Sequence, residues 1–276
     1  MSLKSAIKNL ILLTREKTYI PITHTVPAAQ SLDGKVALIA GGTGGIGMSI
    51  AESLLQCGCS VILCGTNNKK LAVCVEQLAN LGKIKSLYLD LSEVDLAPSV
   101  IDKAAKLFGT IDIFVNSAGV HTENVDFWTM TPREWDRVMN INLKGAFFFS
   151  QAIGTYMKSN GIQGRIIFIS SSRGSEPAWS PYGISKWGIN GFAKGLAQML
   201  SHDGITVNCV APGSTATPLI GVKEGDSIWS RENNNNRLIM PDEVASLVQF
   251  LATGAADMIT GEVIHISAGR GLFDIR

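Results

Sequence analysis

The sequence predicts an α/β fold: one doubly wound domain with a seven-stranded parallel sheet and helices on both faces. Three observations lead there. Short β-branched runs, apolar at successive positions, alternate with longer segments whose apolar residues recur at helical spacing. The first run passes straight into a glycine-rich turn that opens a helix. Finally, 46% of the 276 residues are hydrophobic and only 17% charged, which is material for a large core.

Strands are expected at Val36–Ala40, Val61–Cys64, Leu87–Asp90, Ile111–Asn116, Ile166–Ser170, Thr206–Val210 and Val263–Ile266. Helices are expected between them, over Ile46–Gln56, Lys69–Leu81, Pro98–Phe108, Thr131–Met157, Tyr182–Leu200 and Pro241–Thr253. Thr131-Pro132-Arg133-Glu134 has the chemistry of a helix start: a threonine cap, proline in the first turn and glutamate three residues on. Such alternation gives a parallel sheet covered on both sides, and seven strands fit one domain over residues 33–276. Residues 1–32 differ. Ala6, Ile7, Leu10 and Leu13 fall at helical spacing and Tyr19–Val26 is punctuated by proline, so an N-terminal arm packing on the domain or a neighbouring subunit is expected. The polar stretch Val222–Arg237 is expected as a mobile loop within a substrate-facing segment at about 218–240.

Charge and composition exclude several functions. Twenty-four basic residues against 23 acidic leave a net charge of +1. There is no basic field for a nucleic-acid backbone and no polybasic run for anionic lipid. No apolar run approaches the roughly 18 residues of a membrane span. Cys57, Cys59, Cys64, Cys74 and Cys209 lie in strand- and helix-like segments, so buried reduced thiols and a cytoplasmic location are expected. Cys57-Gly58-Cys59 lacks a second pair or histidines, and His24, His202 and His265 show no metal spacing; no metal is expected.

Two motifs carry chemistry. Gly41-Gly42-Thr43-Gly44-Gly45-Ile46-Gly47 joins a strand to a helix start, where unpaired N–H groups and partial positive charge receive a pyrophosphate and glycines allow its close approach. The bland alternative is a tight turn without ligand. Tyr182 and Lys186 stand four apart, on one helix face. A free phenol titrates near pH 10, too high for a base at neutrality, and a fixed cation beside it would favour the phenolate. Alone, the pair is equally a surface contact.

Together with other segments in order and spacing, these motifs resemble the short-chain dehydrogenase/reductase family over Leu32 to Gly269. The family's Thr-Gly-x-x-x-Gly-x-Gly turn stands as Ala40 to Gly47, with alanine for the first threonine. Asp90-Leu91 is similar to the adenine-contacting pair, Asn116-Ser117-Ala118-Gly119 to the fourth-strand motif, and Asn142 to the helix asparagine. Ile169-Ser170-Ser171 resembles the serine segment, and Pro212-Gly213 with Thr215 and Thr217 the segment that meets nicotinamide and pyrophosphate.

The resemblance implies a Rossmann-like, NAD(P)-dependent enzyme interconverting a secondary alcohol and a ketone. Tyr182 would be the acid/base, Lys186 would lower its pKa and bind the ribose hydroxyls, Ser171 would bond the reacting carbonyl, and Asn142 would hold a relay water through its helix carbonyl. Ser171 precedes Tyr182 by eleven residues, shorter than the family's usual loop, so Ser172 is the alternative. Ser267-Ala268-Gly269 also departs from the common Asp-Gly-Gly.

Cofactor choice turns on the residues after the second strand. About 20 positions beyond the glycine turn, where a carboxylate would bind the ribose of NAD, stand Gly65, Thr66 and Asn67, followed by Lys69 and Lys70. NADP is therefore expected over NAD. His121 is expected as an exposed loop residue rather than a substrate contact. Trp179 and Trp229 are expected to line the pocket or simply to pack. The resemblance implies that the helices Thr131–Met157 and Tyr182–Leu200 pair between subunits, and Ala146, Phe147, Phe148 and Phe149 offer more apolar surface than one sheet face covers, so a homotetramer is expected, with a dimer as the fallback. The polar loop favours a sugar- or polyol-like small molecule. The alternatives are a 3-oxoacyl-carrier-protein reductase, against which Ser201-His202-Asp203-Gly204 lacks an arginine for the acidic carrier, and a non-catalytic cofactor-binding regulator.

Overall fold

The computed structural model describes residues 31–223, 225–233 and 235–270. The N-terminal arm, apart from its last two residues, lies outside them. Seven strands form one parallel sheet in the order β3-β2-β1-β4-β5-β6-β7. They are β1 (Val36–Ala40), β2 (Ser60–Gly65), β3 (Ile84–Tyr88), β4 (Ile113–Asn116), β5 (Arg165–Ile169), β6 (Thr206–Pro212) and β7 (Val263–Ile266). The helices are α1 (Gly45–Gln56), α2 (Asn68–Leu78), α3 (Ala97–Phe108), α4 (Pro132–Met139), α5 (Ala146–Ser159), α6 (Pro181–Leu200) and α7 (Pro241–Ala252).

The period of two in β1 explains the two layers. Ala37 and Ile39 face a core built with Ile50 and Leu54 of α1 and Val244 and Val248 of α7. Val36, Leu38 and Ala40 face the other, with Ile101 of α3, Phe149 of α5 and Ile189 of α6. Phe114, Phe149 and Phe168 are buried on that second face, where truncation to alanine would cost about 3–5 kcal/mol each. The chain leaves β1 toward β2 and β3, then returns to β4 on the opposite side. Strand order thus reverses between β1 and β4, and their carboxyl ends open a crevice there.

The structure corrects two boundaries. The third strand starts at Ile84 rather than Leu87: it is an edge strand with Lys85, Ser86 and Tyr88 exposed, so it lacks the doubly apolar signature. Asp90, expected at its end, lies beyond it, its carboxylate accepting from the Ser92 N–H and hydroxyl. The helix expected over Thr131–Met157 is α4 and α5 joined by a π-helical turn, Asn140–Gly145. The wider turn places the Asn142 side chain against Val120 and Ser185, which satisfies its amide in a buried site.

Candidate active site

The crevice is first a backbone construction. Gly41 has φ +73°, and a Cβ on it would come within 2.6 Å of the Ala118 backbone. A Cβ on Gly47 would lie 2.3 Å from the Gly41 carbonyl oxygen. The β1–α1 turn can therefore press against the segment after β4 only as glycine. α1 has Gly44 at its N-cap, with no side-chain cap and no acid in its first turn, leaving its N-terminal dipole open. Thr43, Gly65, Thr66, Lys70, Asp90 and Leu91 line this groove together with the turn. Asn116 acts indirectly: its side-chain oxygen accepts from the Ala118 N–H and shapes the Ser117–Gly119 bend. Asn67 does not line the groove; its side chain caps α2 by accepting from Lys70 N–H at 3.0 Å. These features fit a dinucleotide: glycines where phosphate must approach, an uncapped helix start, and a lysine at the far end.

A second cavity adjoins the groove through Ile46, Ser117, Gly119 and Thr217, which line both. Tyr182, Lys186, Ser171, Pro212, Gly213 and Thr215 lie on its wall. Ser180 caps α6 by accepting from Gly183 N–H, which fixes the helix start and hence Tyr182. Ser171 and Ser172 both line the cavity, and it is the Ser171 hydroxyl, which accepts from the Arg173 N–H at 3.2 Å, that acts on the Tyr182 phenol. Burial pushes the phenol above its ordinary value, and the Ser171 bond and the Arg173 guanidinium pull against that rise. In the protein alone the balance is thus opposite to the lowering expected from the Tyr–Lys spacing. The Lys186 ammonium lies 5.6 Å from the Tyr182 ring centre and donates to the Ile169 carbonyl at 2.9 Å. Its own burial lowers it to about 8. Asn142 is off the cavity wall and clamps the neighbouring loop, its amide accepting from and donating to the Val120 backbone at 2.9 and 3.0 Å.

Sequence reasoning misplaced or missed several residues. His121 is not an exposed loop residue: its ring stacks on Tyr182 with centres 4.0 Å apart, and burial first, then Lys186 and Arg173, hold its pKa down. Trp179 and Trp229 are half or more exposed and lie outside the wall shared with Ser171 and Lys186. Arg173 does line it, paired with Glu176 at 2.8 Å. Glu176 also binds Arg270 at 3.1 Å, and Arg270 reaches Ser214 and Glu232. Arg270 and Glu232 were not foreseen. The one available signal was the altered Ser267-Ala268-Gly269, where Ala268 takes a left-handed φ of +48°.

Comparison with known proteins then decides the class. The sequence model of the family described as short chain dehydrogenase matches residues 35–226. The chain belongs to the short-chain dehydrogenase family. It is 34% identical to 2-dehydro-3-deoxy-D-gluconate 5-dehydrogenase of Escherichia coli (strain K12), over 88% of this chain and 97% of that one. Among solved structures, an actinorhodin polyketide ketoreductase variant with NADPH superposes with TM-score 0.80 at 27% identity, over 89% of this chain and all of that one. A 3-oxoacyl-[acyl-carrier protein] reductase from Brucella melitensis with bound NAD gives 0.79 at 28%, over 92% and 99%. The protein is thus an NAD(P)-dependent oxidoreductase of the alcohol–carbonyl class. Among the described residues no helix is long and apolar enough to cross a membrane, and no His/Cys/Asp/Glu group is placed to hold a metal ion. All five cysteines are free and buried; burial raises Cys59 and Cys209 to about 12.

Proposed function

We propose that the protein interconverts a secondary alcohol and a ketone on a sugar- or polyol-like small molecule, with Tyr182 as the proton donor and acceptor. The observation that carries this reading is Tyr182, Ser171 and Lys186 on one wall of a cavity that opens into the glycine-lined groove. A nicotinamide held in that groove would supply or take up the hydride. In reduction, Ser171 donates a hydrogen bond to the substrate oxygen and the Tyr182 hydroxyl delivers its proton there; in oxidation the phenolate takes it back. Lys186 lies behind the phenol as the ribose-binding cation, and Asn142 in its π-helical turn holds a relay water through its backbone carbonyl.

Thr66 and Lys70 support NADP over NAD by about tenfold in kcat/KM, or about 1.4 kcal/mol, within reach of one charge-assisted phosphate contact. Phe147 and Trp187, both about half exposed on α5 and α6, support a homotetramer, with a dimer as the lesser assembly. Buried free thiols support a cytoplasmic location.

The test is a panel of sugars, polyols, simple ketones and acyl thioesters, read at the nicotinamide absorbance band with each cofactor. Turnover of a hydroxylated ketone with NADPH is expected. Turnover confined to thioesters would move the assignment to a carrier-protein reductase. Light scattering at micromolar concentration that gives a monomer mass would rule out the assembly.

A further inference from the structure

The substrate cavity has an unusual charge balance. Lys186, Arg173 and Arg270 all line it, and among the described residues Glu232 is the single carboxylate on its wall. Arg270 is the best enclosed of the two guanidinium groups, its side chain 17% exposed against 53% for Arg173. It is held in place by a tight turn: Ser267 donates its hydroxyl to the Arg270 carbonyl at 2.7 Å, and Ala268 adopts the left-handed conformation that alanine disfavours.

The two carboxylates on Arg270 differ in kind. Glu176 is fixed: its side chain is 15% exposed and shared with Arg173, and its backbone carbonyl accepts from the Trp187 indole at 2.7 Å. Glu232 is 47% exposed, comes from the polar loop, and meets the Nη1 of Arg270 and the Ser214 hydroxyl together. If Glu232 swings away, Nη1 and the Ser214 hydroxyl are left as a pair of donors facing the cavity. We infer that the substrate carries a carboxylate, that Arg270 with Ser214 selects it, and that Glu232 occupies this site until substrate displaces it.

The exchange is balanced, since one carboxylate replaces another and no buried cation is left unpaired. It also distinguishes a carboxylate from a phosphate monoester. The fixed Glu176 beside Arg270 repels a second negative charge, whereas a monoanion repeats the contact that Glu232 already makes. A neutral polyol has no anion to offer and would leave Glu232 in place.

This inference rests on the alcohol–carbonyl reading of the same cavity. The test uses two matched pairs of secondary alcohols, gluconate with gluconamide and 3-hydroxybutyrate with 3-hydroxybutyramide. Each is assayed for turnover with both oxidised cofactors and, separately, for affinity by calorimetry with cofactor present. Acids are expected to bind about tenfold or more tightly than their amides. Arg270→Gln should raise KM for the acids by a similar factor, with kcat and the amides little changed. Glu232→Gln, which removes the internal competitor, should lower KM for the acids several-fold; this exposed loop variant keeps the test sharp if Arg270→Gln fails to fold. Equal affinity for acid and amide, no binding of any of the four, tighter binding of a phosphate monoester, or an Arg270→Gln loss shared by acids and amides would each overturn it. Failure of the parent reading looks different: acids bind selectively, but no alcohol reduces either cofactor.

Discussion

The two halves of the crevice are built from different materials. The cofactor groove, along the β1–α1 turn and the ends of β2 and β4, is shaped by backbone: glycines against a bend, and a helix that starts uncapped. The substrate cavity is shaped by side chains drawn from distant parts of the chain, with Arg173, Glu176, Glu232 and Arg270 joined in one run of ion pairs. A backbone surface recognises what every dinucleotide shares. A side-chain surface can be rewritten one residue at a time, and there specificity resides.

The comparison is tested most severely by deleting one atom on one side. Tyr182→Phe should reduce kcat by about 10²–10⁴-fold while cofactor affinity, followed by nicotinamide fluorescence, stays within about twofold. Retention of most of the rate would remove Tyr182 from the mechanism. Adding one atom on the other side should act through shape. Gly47→Ala pushes a methyl against the Gly41 carbonyl and should cost about 1–3 kcal/mol in unfolding free energy along with most cofactor binding. Gly44→Ala, whose Cβ would sit at 3.4 Å from that same oxygen, should cost far less. Equal effects would show that the turn is not the tight element.

Lys186 sits at the seam, and its sign can be worked out. Its pKa falls from 10.5 to about 8, so below pH 8 the folded protein carries a buried ammonium that unfolding returns to water. The group subtracts stability there. Between about 8 and 10.5 the unfolded chain holds the proton that the folded chain has released, and stability recovers as pH rises. Lys186→Met should therefore stabilise the protein at pH 7 by about 1–2 kcal/mol: roughly 3 kcal/mol of relieved desolvation, less the lost bond to the Ile169 carbonyl. It should also lose activity, and its stability advantage over the wild type in denaturant, full at pH 7, should shrink or vanish at pH 10. A destabilised variant at pH 7 would contradict the assignment. The smallest effect is expected where a side chain intrudes on the backbone half: Lys70→Ala should narrow the NADP-to-NAD ratio of kcat/KM by about threefold to fivefold, a partial charge contribution.

The same division governed what could be read in advance. Six of the seven strands, all but β3, start within two residues of their expected positions; in β1, β2, β4, β5 and β6 the apolar runs reflect burial on both faces. β6 starts where expected, at Thr206, and runs on to Pro212. β3 was displaced because an edge strand carries a mixed pattern. Gly41 and Gly47 were legible since backbone demands leave glycine as the only solution. The π-helical turn left no sign, as the apolar spacing of α4 and α5 continues through it. Arg270 and Glu232 lie 38 positions apart and meet only in the folded chain, so no local pattern announces them. His121 was misjudged because loop position says nothing of stacking on Tyr182.

Trp187 follows Lys186 directly, and its indole N–H is tied to the carbonyl of Glu176, the residue that anchors both arginines. The chain thus contains its own optical reporter. Undocking of the Ser171–Tyr182 loop breaks that bond, so the emission of this half-exposed ring changes in step with disassembly of the cavity wall. Replacing the exposed Trp128, Trp135, Trp179 and Trp229 by phenylalanine would leave Trp187 as the one tryptophan of the five, letting stopped-flow fluorescence time the loop independently of the absorbance change that times the chemistry.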